Sequence, residues 1–332
     1  MILRGRALPW VGLAAVLVAA AGALAVGASD VRAVELVRCL EGQGAPGVEA
    51  VLSLRWPRVA LGVLVGATLA TSGAGLQGLL RNTLADPGLV GVSSGAALAV
   101  AVAIVLTRGV DTVWLLPAVA FAGAFVTALL VLRVAAQGGA LPVASLVLAG
   151  VAANALAGAA IGALTFVATD AQLRGLSSWN LGSLGAVTRP MVWAAAPWLV
   201  ASTAYLLRRA DVLDALTLGD EAAAHLGVAV RRERLALVVA TAVGVGAATA
   251  FVGVLGFVGL VVPHLARGVA GPSHRDHLPV AAALGAVLVV AGDALARTVV
   301  APAELPLGLV TAAFGAPALL VLLRTRAQEL VA

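Results

Sequence analysis

Residues 142–168 read PVASLVLAGVAANALAGAAIGALTFVA, a run without one ionisable side chain. About 20 consecutive apolar residues suffice to cross a bilayer as a helix. Pro142 stands at its start, where a missing N–H costs little. The same signature recurs along the chain. Hydropathy places further spans near 8–28, 57–80, 89–107, 113–132, 190–207, 235–251, 254–266, 278–296 and 306–323. Pro57, Pro190 and Pro306 open three of them. The expected fold is an all-α integral membrane bundle of about ten transmembrane helices, forming one domain over residues 1–332. The span ending at Ala266 is short and loosened by Gly253, Gly256 and Gly259, so an irregular crossing is expected there.

Composition agrees with this class. Apolar residues make up 61% of the 332 positions and charged residues 11%, with a mean hydropathy of +1.06. A soluble domain carries about 25% charge and does not expose so much apolar surface. All 21 basic residues are arginine. Without lysine there is no P-loop phosphate ligand and no Schiff-base chemistry. The net charge of +5 belongs to the loops, because no basic stripe with interleaved aromatics suggests nucleic acid. Cys39 is the sole cysteine, which excludes an internal disulfide and a cysteine metal cluster. Met1 to Arg6 followed by an apolar run resembles a signal peptide. The run from Ala7 to Ala28 is nonetheless long enough to span, and is read as a retained first helix.

Ten spans put both termini on one side, and arginine counting chooses it. With the termini inside, cytoplasmic segments hold 13 of the 21 arginines, and the densest basic loop, 208–234, falls inside, as the positive-inside rule expects. The longest outer segments are then 29–56 and 169–189.

Few ionisable groups lie deep in the spans. Asp293 and Arg297 stand near one end of the ninth, and no Asp, Glu or His occupies a helix centre. Proton-driven carriers keep such groups as relays despite their cost, so a proton-coupled carrier is disfavoured. Gly150, Asn154, Gly158 and Gly162 recur every four residues on one helix face. That face is either a close helix contact or the wall of a path. Arg81 to Gly88 is a polar turn whose continuation, Leu89 to Ala97, is rich in small residues. Pro87-Gly88-Leu89-Val90-Gly91-Val92 has a faint echo in Gly256-Phe257-Val258-Gly259-Leu260-Val261, in spans of opposite direction, as in inverted repeats. Within the basic loop, Gly219 followed by Asp220 and Glu221 starts a short helix that Gly227 ends. This helix is either a connector or a docking element. His225, His264, His274 and His277 all fall in or beside inner loops and read as solvated, without the companions of a metal site.

These segments together resemble the FecCD-type permease family of importers for ferric siderophores, haem and cobalamin. The matching stretches are Leu54-Arg55-Trp56-Pro57-Arg58, Arg81 to Ala97, Leu218 to Val228, Gly256 to Arg267, Asp293 to Arg297, Glu304 to Gly308 and Gly315-Ala316-Pro317. Thr83 and Gly292 depart from the usual pattern. The resemblance implies a type II importer bundle of ten helices in the bacterial cytoplasmic membrane. It implies a second permease subunit (a copy or a close paralogue), two cytoplasmic ATPase subunits that bind ATP and Mg, and an extracytoplasmic binding protein. The chain itself would hold no cofactor and no catalytic site. Arg55, Arg58 and Arg297 match positions that face acids of the binding protein. Asp220, Glu221, His225, Leu226 and Gly227, within a coupling segment over about 211–230, match the ATPase contact. The fifth helix, with Gly150, Asn154, Gly158 and Gly162, would line the path. The expected cargo is a ferric siderophore or related chelate, with haem or cobalamin as the alternative.

Overall fold

Small residues set the architecture by letting main chains approach closely, which drives helix association where lipid surrounds the protein. The computed structural model describes residues 8–26, 38–39, 41, 45–107, 113–136 and 141–331, with the side chains of Pro46 and residues 322–331 left aside. The signal-like residues 1–6 lie outside the described residues, as does much of the outer segment 29–56. All regular structure among the described residues is helical.

In chain order the helices are α1 (Leu8–Ala25), α2 (Pro46–Leu79), α3 (Val92–Thr107), α4 (Leu115–Ala135), α5 (Val143–Val167), α6 (Asp170–Asn180) and α7 (Arg189–Arg208). Then come α8 (Ala210–Thr217), α9 (Asp220–His225), α10 (Val230–Val252), α11 (Val258–Ala270), α12 (His274–Ala296) and α13 (Leu307–Val331). Seven are long and apolar enough to cross a membrane. Three shorter apolar helices, α3, α11 and the start of α13, complete the ten segments expected from hydropathy.

Helix α2 is the axle of the bundle, packing against α12, α7, α11 and α10. A Cβ on Gly73 would overlap the Gly259 carbonyl, and one on Gly66 would overlap that of Gly285. Buried Leu61, Val65, Leu69, Leu76 and Leu79 fill the gaps between these contacts and join one core with residues of α7, α10 and α12.

Two boundaries differ from the sequence reading. Helix α2 begins at Pro46, so Pro57 lies inside it, buried, rather than at a start. Pro46 in the first turn, with Glu49 beside it, provides the favourable opening. The second difference is α6, inside the supposed outer loop. Its capping box pairs the Thr169 hydroxyl with the Gln172 N–H, and the Gln172 side chain with the Thr169 N–H. Thr-x-x-Gln is a legible helix start.

The broken crossing is observed. After α10 the chain leaves helical geometry at Gly253, and Phe257 has φ of 67° before α11 begins. Pro87, in the short 3-10 turn Pro87–Val90, packs against Gly259. The two echoing segments therefore meet beside the last third of α2, at Leu69 and Gly73.

Candidate functional site: a path between two charged ends

At one end of the bundle three arginines gather. Arg55 and Arg58 lie one turn apart on α2, and Arg297 caps α12. Arg55 Nη1 donates to the Leu24 and Ala25 carbonyls at 2.8 and 3.0 Å, and Arg297 Nη2 to that of Ala23 at 2.6 Å. These are the last carbonyls of α1, which lack helical partners. Arg58 donates to both carboxylate oxygens of Glu304 at 2.8 and 3.0 Å and to Asp293 at 2.9 Å. Arg297 Nε lies 3.6 Å from Asp293. Arg55 and Arg297 are only 6% and 5% exposed. All three guanidiniums thus have partners within the chain itself. The guanidiniums fasten α1 to α2 and α12, because buried cations need partners. The hydrogen bond from Arg58 holds the Glu304 carboxyl below its usual range.

The glycine face of α5 divides into two. A Cβ on Gly150 would overlap the Leu89 carbonyl. Asn154 accepts from the Ser94 hydroxyl at 2.6 Å and donates to the Gly88 carbonyl at 2.9 Å. This half locks α5 onto the Pro87–Val90 turn and α3, so it is the close contact. Gly158 and Gly162 are exposed with nothing within 4 Å of a built Cβ. Around them Leu156 and Phe166 are exposed as well, at 74% and 92%. This half is an exposed, uncharged face.

At the opposite end from the arginine cluster, α8 and α9 project. Gly219 (φ 113°) and Gly227 (φ 83°) bracket α9 in backbone conformations that L side chains rarely adopt. Glu221, His225, Leu226 and Gly227 are exposed, Leu226 by 65%. Asp220 is exposed as well but is ion-paired. Its Oδ1 accepts from Arg234 Nη2 at 2.7 Å and from Arg81 Nη2 at 3.1 Å. Arg234 is buried at the start of α10 and also donates to the Leu141 carbonyl at 2.7 Å. Of the five residues expected to act together, all exposed, Asp220 is thus tied to Arg81 and Arg234.

Over residues 13–325 the sequence matches the FecCD transport family. The hemin transport system permease protein HmuU of Yersinia pestis is 46% identical over 282 residues, 84% of each chain. The cobalamin import system permease protein BtuC of Halobacterium salinarum is 44% identical, covering 82% of this chain and 73% of the relative. Iron(3+)-hydroxamate import system permease protein FhuG of Bacillus subtilis is 35% identical over 90% and 91%. A solved metal-chelate type ABC transporter in an inward-facing conformation superposes with a TM-score of 0.83 at 26% identity, covering 96% and 98%. The chain belongs to the FecCD transport family. It is the multi-pass permease subunit of an ATP-binding-cassette importer, a transporter component and not itself an enzyme.

The FecCD fold also holds a polar network that sequence reasoning missed. Gln77, buried on α2, donates to the Ala85 and Leu260 carbonyls at 3.2 Å each and accepts from Arg267 of α11. His274 Nδ1 lies 2.6 Å from Asp214 Oδ1, and the His274 N–H and Ser273 hydroxyl donate to the same carboxylate. Burial pushes the Asp214 carboxyl up, but these hydrogen bonds outweigh it and leave it below its usual range. His274 and His277 are 5% and 0% exposed, their rings 4.6 Å apart. This corrects their reading as solvated loop histidines: α12 begins at His274 and carries both inward. His225 is exposed as expected. The legible signal was Gln77 itself, a polar residue inside an apolar span.

Proposed function

We propose that this permease carries a ferric siderophore or a related large metal chelate into the cell, with both termini cytoplasmic. A binding protein would deliver the chelate to the Arg55–Arg58–Arg297 end. Two ATPase subunits, which bind ATP and Mg, would seat on α9, and a second permease subunit, a copy or close paralogue, would complete the path. The observation that carries this reading is α9: a short helix held out by two positive-φ glycines, with Glu221, His225 and Leu226 exposed.

No bond in the cargo changes. ATP binding and release on the partner would move α9, and Asp220 would pass that movement to α2 and α10 through Arg81 and Arg234. The exposed Gly158 and Gly162 face, uncharged and flanked by apolar Leu156 and Phe166, suits a bulky solute that must pass without tight binding. At the outer end three guanidiniums face two carboxylates, a net charge of +1. That field favours an acidic partner, chiefly by speeding and orienting its approach.

Proteoliposomes containing the permease, its ATPase and its binding protein test this. ATP-dependent accumulation of a ferric hydroxamate supports it; equal accumulation without the ATPase overturns it in favour of a carrier. The 46% identity to a hemin permease favours haem as the second reading. Weighing the ligand that co-purifies with the binding protein separates the two: a haem mass replaces the siderophore and leaves the importer intact.

A further inference from the structure

Helix α4 presents Val126, Leu129, Leu130 and Val134 on an exposed stripe, with exposures between 47% and 67%. Arg133 falls in the middle of that stripe by helical spacing and stands in the last turn of α4. Directly across from it, Arg231 stands in the first turn of α10. Between them lies a cavity of about 230 Å³ lined by Leu132, Arg133, Ala136, Leu141, Arg231 and Leu235. Leu132 and Leu141 are buried in the core beneath it, and no carboxylate lines it among the described residues.

Four other arginines at this end have acids: Arg209 lies by Glu233, Arg234 and Arg81 share Asp220, and Arg275 lies by Asp211; Arg208 and Arg232 have none among the described residues but lie outside the cavity. Arg133 and Arg231 form no ion pair or hydrogen bond among the described residues. Two unneutralised guanidiniums thus frame an apolar slot that continues an apolar stripe on the membrane-facing surface. A soluble anion would match the guanidiniums but leave the leucine floor and stripe unused. An acyl chain alone would leave the cations unanswered.

We propose that this slot between α4 and α10 is a binding site for one anionic phospholipid. Its phosphate bridges Arg133 and Arg231, and an acyl chain runs over Leu132 and Leu235 onto the α4 stripe. Basic pockets between spanning helices select acidic head groups in this way. The lipid would also brace Arg231 three residues from Arg234, whose hydrogen bond to Asp220 holds helix α9.

The test is native mass spectrometry of the purified full chain titrated with phosphatidylglycerol, phosphatidylcholine or inorganic phosphate. Phosphatidylglycerol should form a retained adduct. At about 1 kcal/mol per arginine near a charged head group, R133Q/R231Q should weaken it roughly thirtyfold and either single variant about fivefold. R133K/R231K keeps both charges and should retain most of the binding, which separates lost contacts from lost folding. R208Q/R232Q, an equal charge loss outside the cavity, should change binding less than twofold. Unchanged adduct in R133Q/R231Q overturns the proposal, as does an equal loss in R208Q/R232Q. Competition by inorganic phosphate at the concentration of the lipid would make this a soluble-anion site and overturns it too. Equal retention of phosphatidylcholine does the same.

Discussion

Replacing Asp220 with asparagine removes the one carboxylate that Arg81 and Arg234 share. The two halves of that arrangement are unequal. The pair with Arg81 is about half exposed on both sides and is worth about 0.2–1 kcal/mol. Arg234 is only 5% exposed, and a hydrogen bond to a charged group contributes about 1.5–3 kcal/mol. After D220N, Arg234 keeps the Leu141 carbonyl but no counter-charge. Helix α9 should therefore lose about 1.5–3 kcal/mol of local stability, against less than 1 kcal/mol for R81Q. Hydrogen exchange reads this directly: protection of the amides in 221–226 should fall roughly tenfold or more in D220N. In proteoliposomes, D220N should still bind its ATPase through Glu221 and Leu226, while transport per ATP falls severalfold. E221Q/L226A should instead weaken ATPase binding. Equal loss of protection in R81Q and D220N would refute the role given to Arg234. Unchanged transport per ATP in D220N would refute the role given to Asp220.

Gly150→Ala should cost about 1–3 kcal/mol by forcing α5 off the Leu89 carbonyl, whereas Gly158→Ala and Gly162→Ala should be neutral or stabilise by up to about 1 kcal/mol; thermal unfolding in detergent distinguishes them. Glu304 has a depressed carboxyl value in the folded protein, so its contribution is fully present above about pH 4.3 and is lost as pH falls through the lower folded value. E304Q should flatten that part of the stability–pH curve by no more than about 1 kcal/mol, since Glu304 is partly exposed. His277 is buried with neither ring nitrogen hydrogen-bonded among the described residues, so His277→Leu should be neutral or stabilising in a melting experiment, while His274→Leu, which removes one of the three groups bonded to the Asp214 carboxylate, should destabilise.

The spans were legible because a bilayer leaves the backbone few options. Every N–H and C=O must be satisfied within the segment, so long apolar runs become helices, and even the broken crossing before α11 announced itself through its glycines. The ends of α9 were legible for the same kind of reason, since Gly219 and Gly227 occupy conformations that other residues avoid. What escaped reading was which way charged side chains turn. Arg55 and Arg297 match outer positions in sequence, but nothing local reveals that the last carbonyls of α1, about 30 and 270 positions away, need their donors. Asp220 and Glu221 are neighbours, and Asp220 is the one bound to Arg234 for an equally non-local reason: Arg234 is buried beside it. His274 and His277 were misplaced by a boundary error of four residues, since the span was read from 278 and α12 starts at His274.

These placements give α2 a particular position in the transport cycle. Arg58, in its first half, holds Glu304 of the stretch that leads into α13, and the Leu307 and Gly308 N–H groups just beyond donate to the Gly182 and Leu181 carbonyls after α6. Arg81, directly after its other end, reaches Asp220 of α9. From residue 58 to 79 the helix is unbroken, and at 1.5 Å per residue that is about 30 Å, the thickness of the hydrocarbon layer. Between those ends, Gly66 and Gly73 bring the backbone of α2 against α12 and α11 with no side chain to yield between them. A helix in such contact cannot tilt alone; α11 and α12 must move with it. On the proposed reading, a push delivered at α9 therefore reaches the outer cluster as a rigid-body displacement, and the first non-helical joint it meets there is the Glu304 loop.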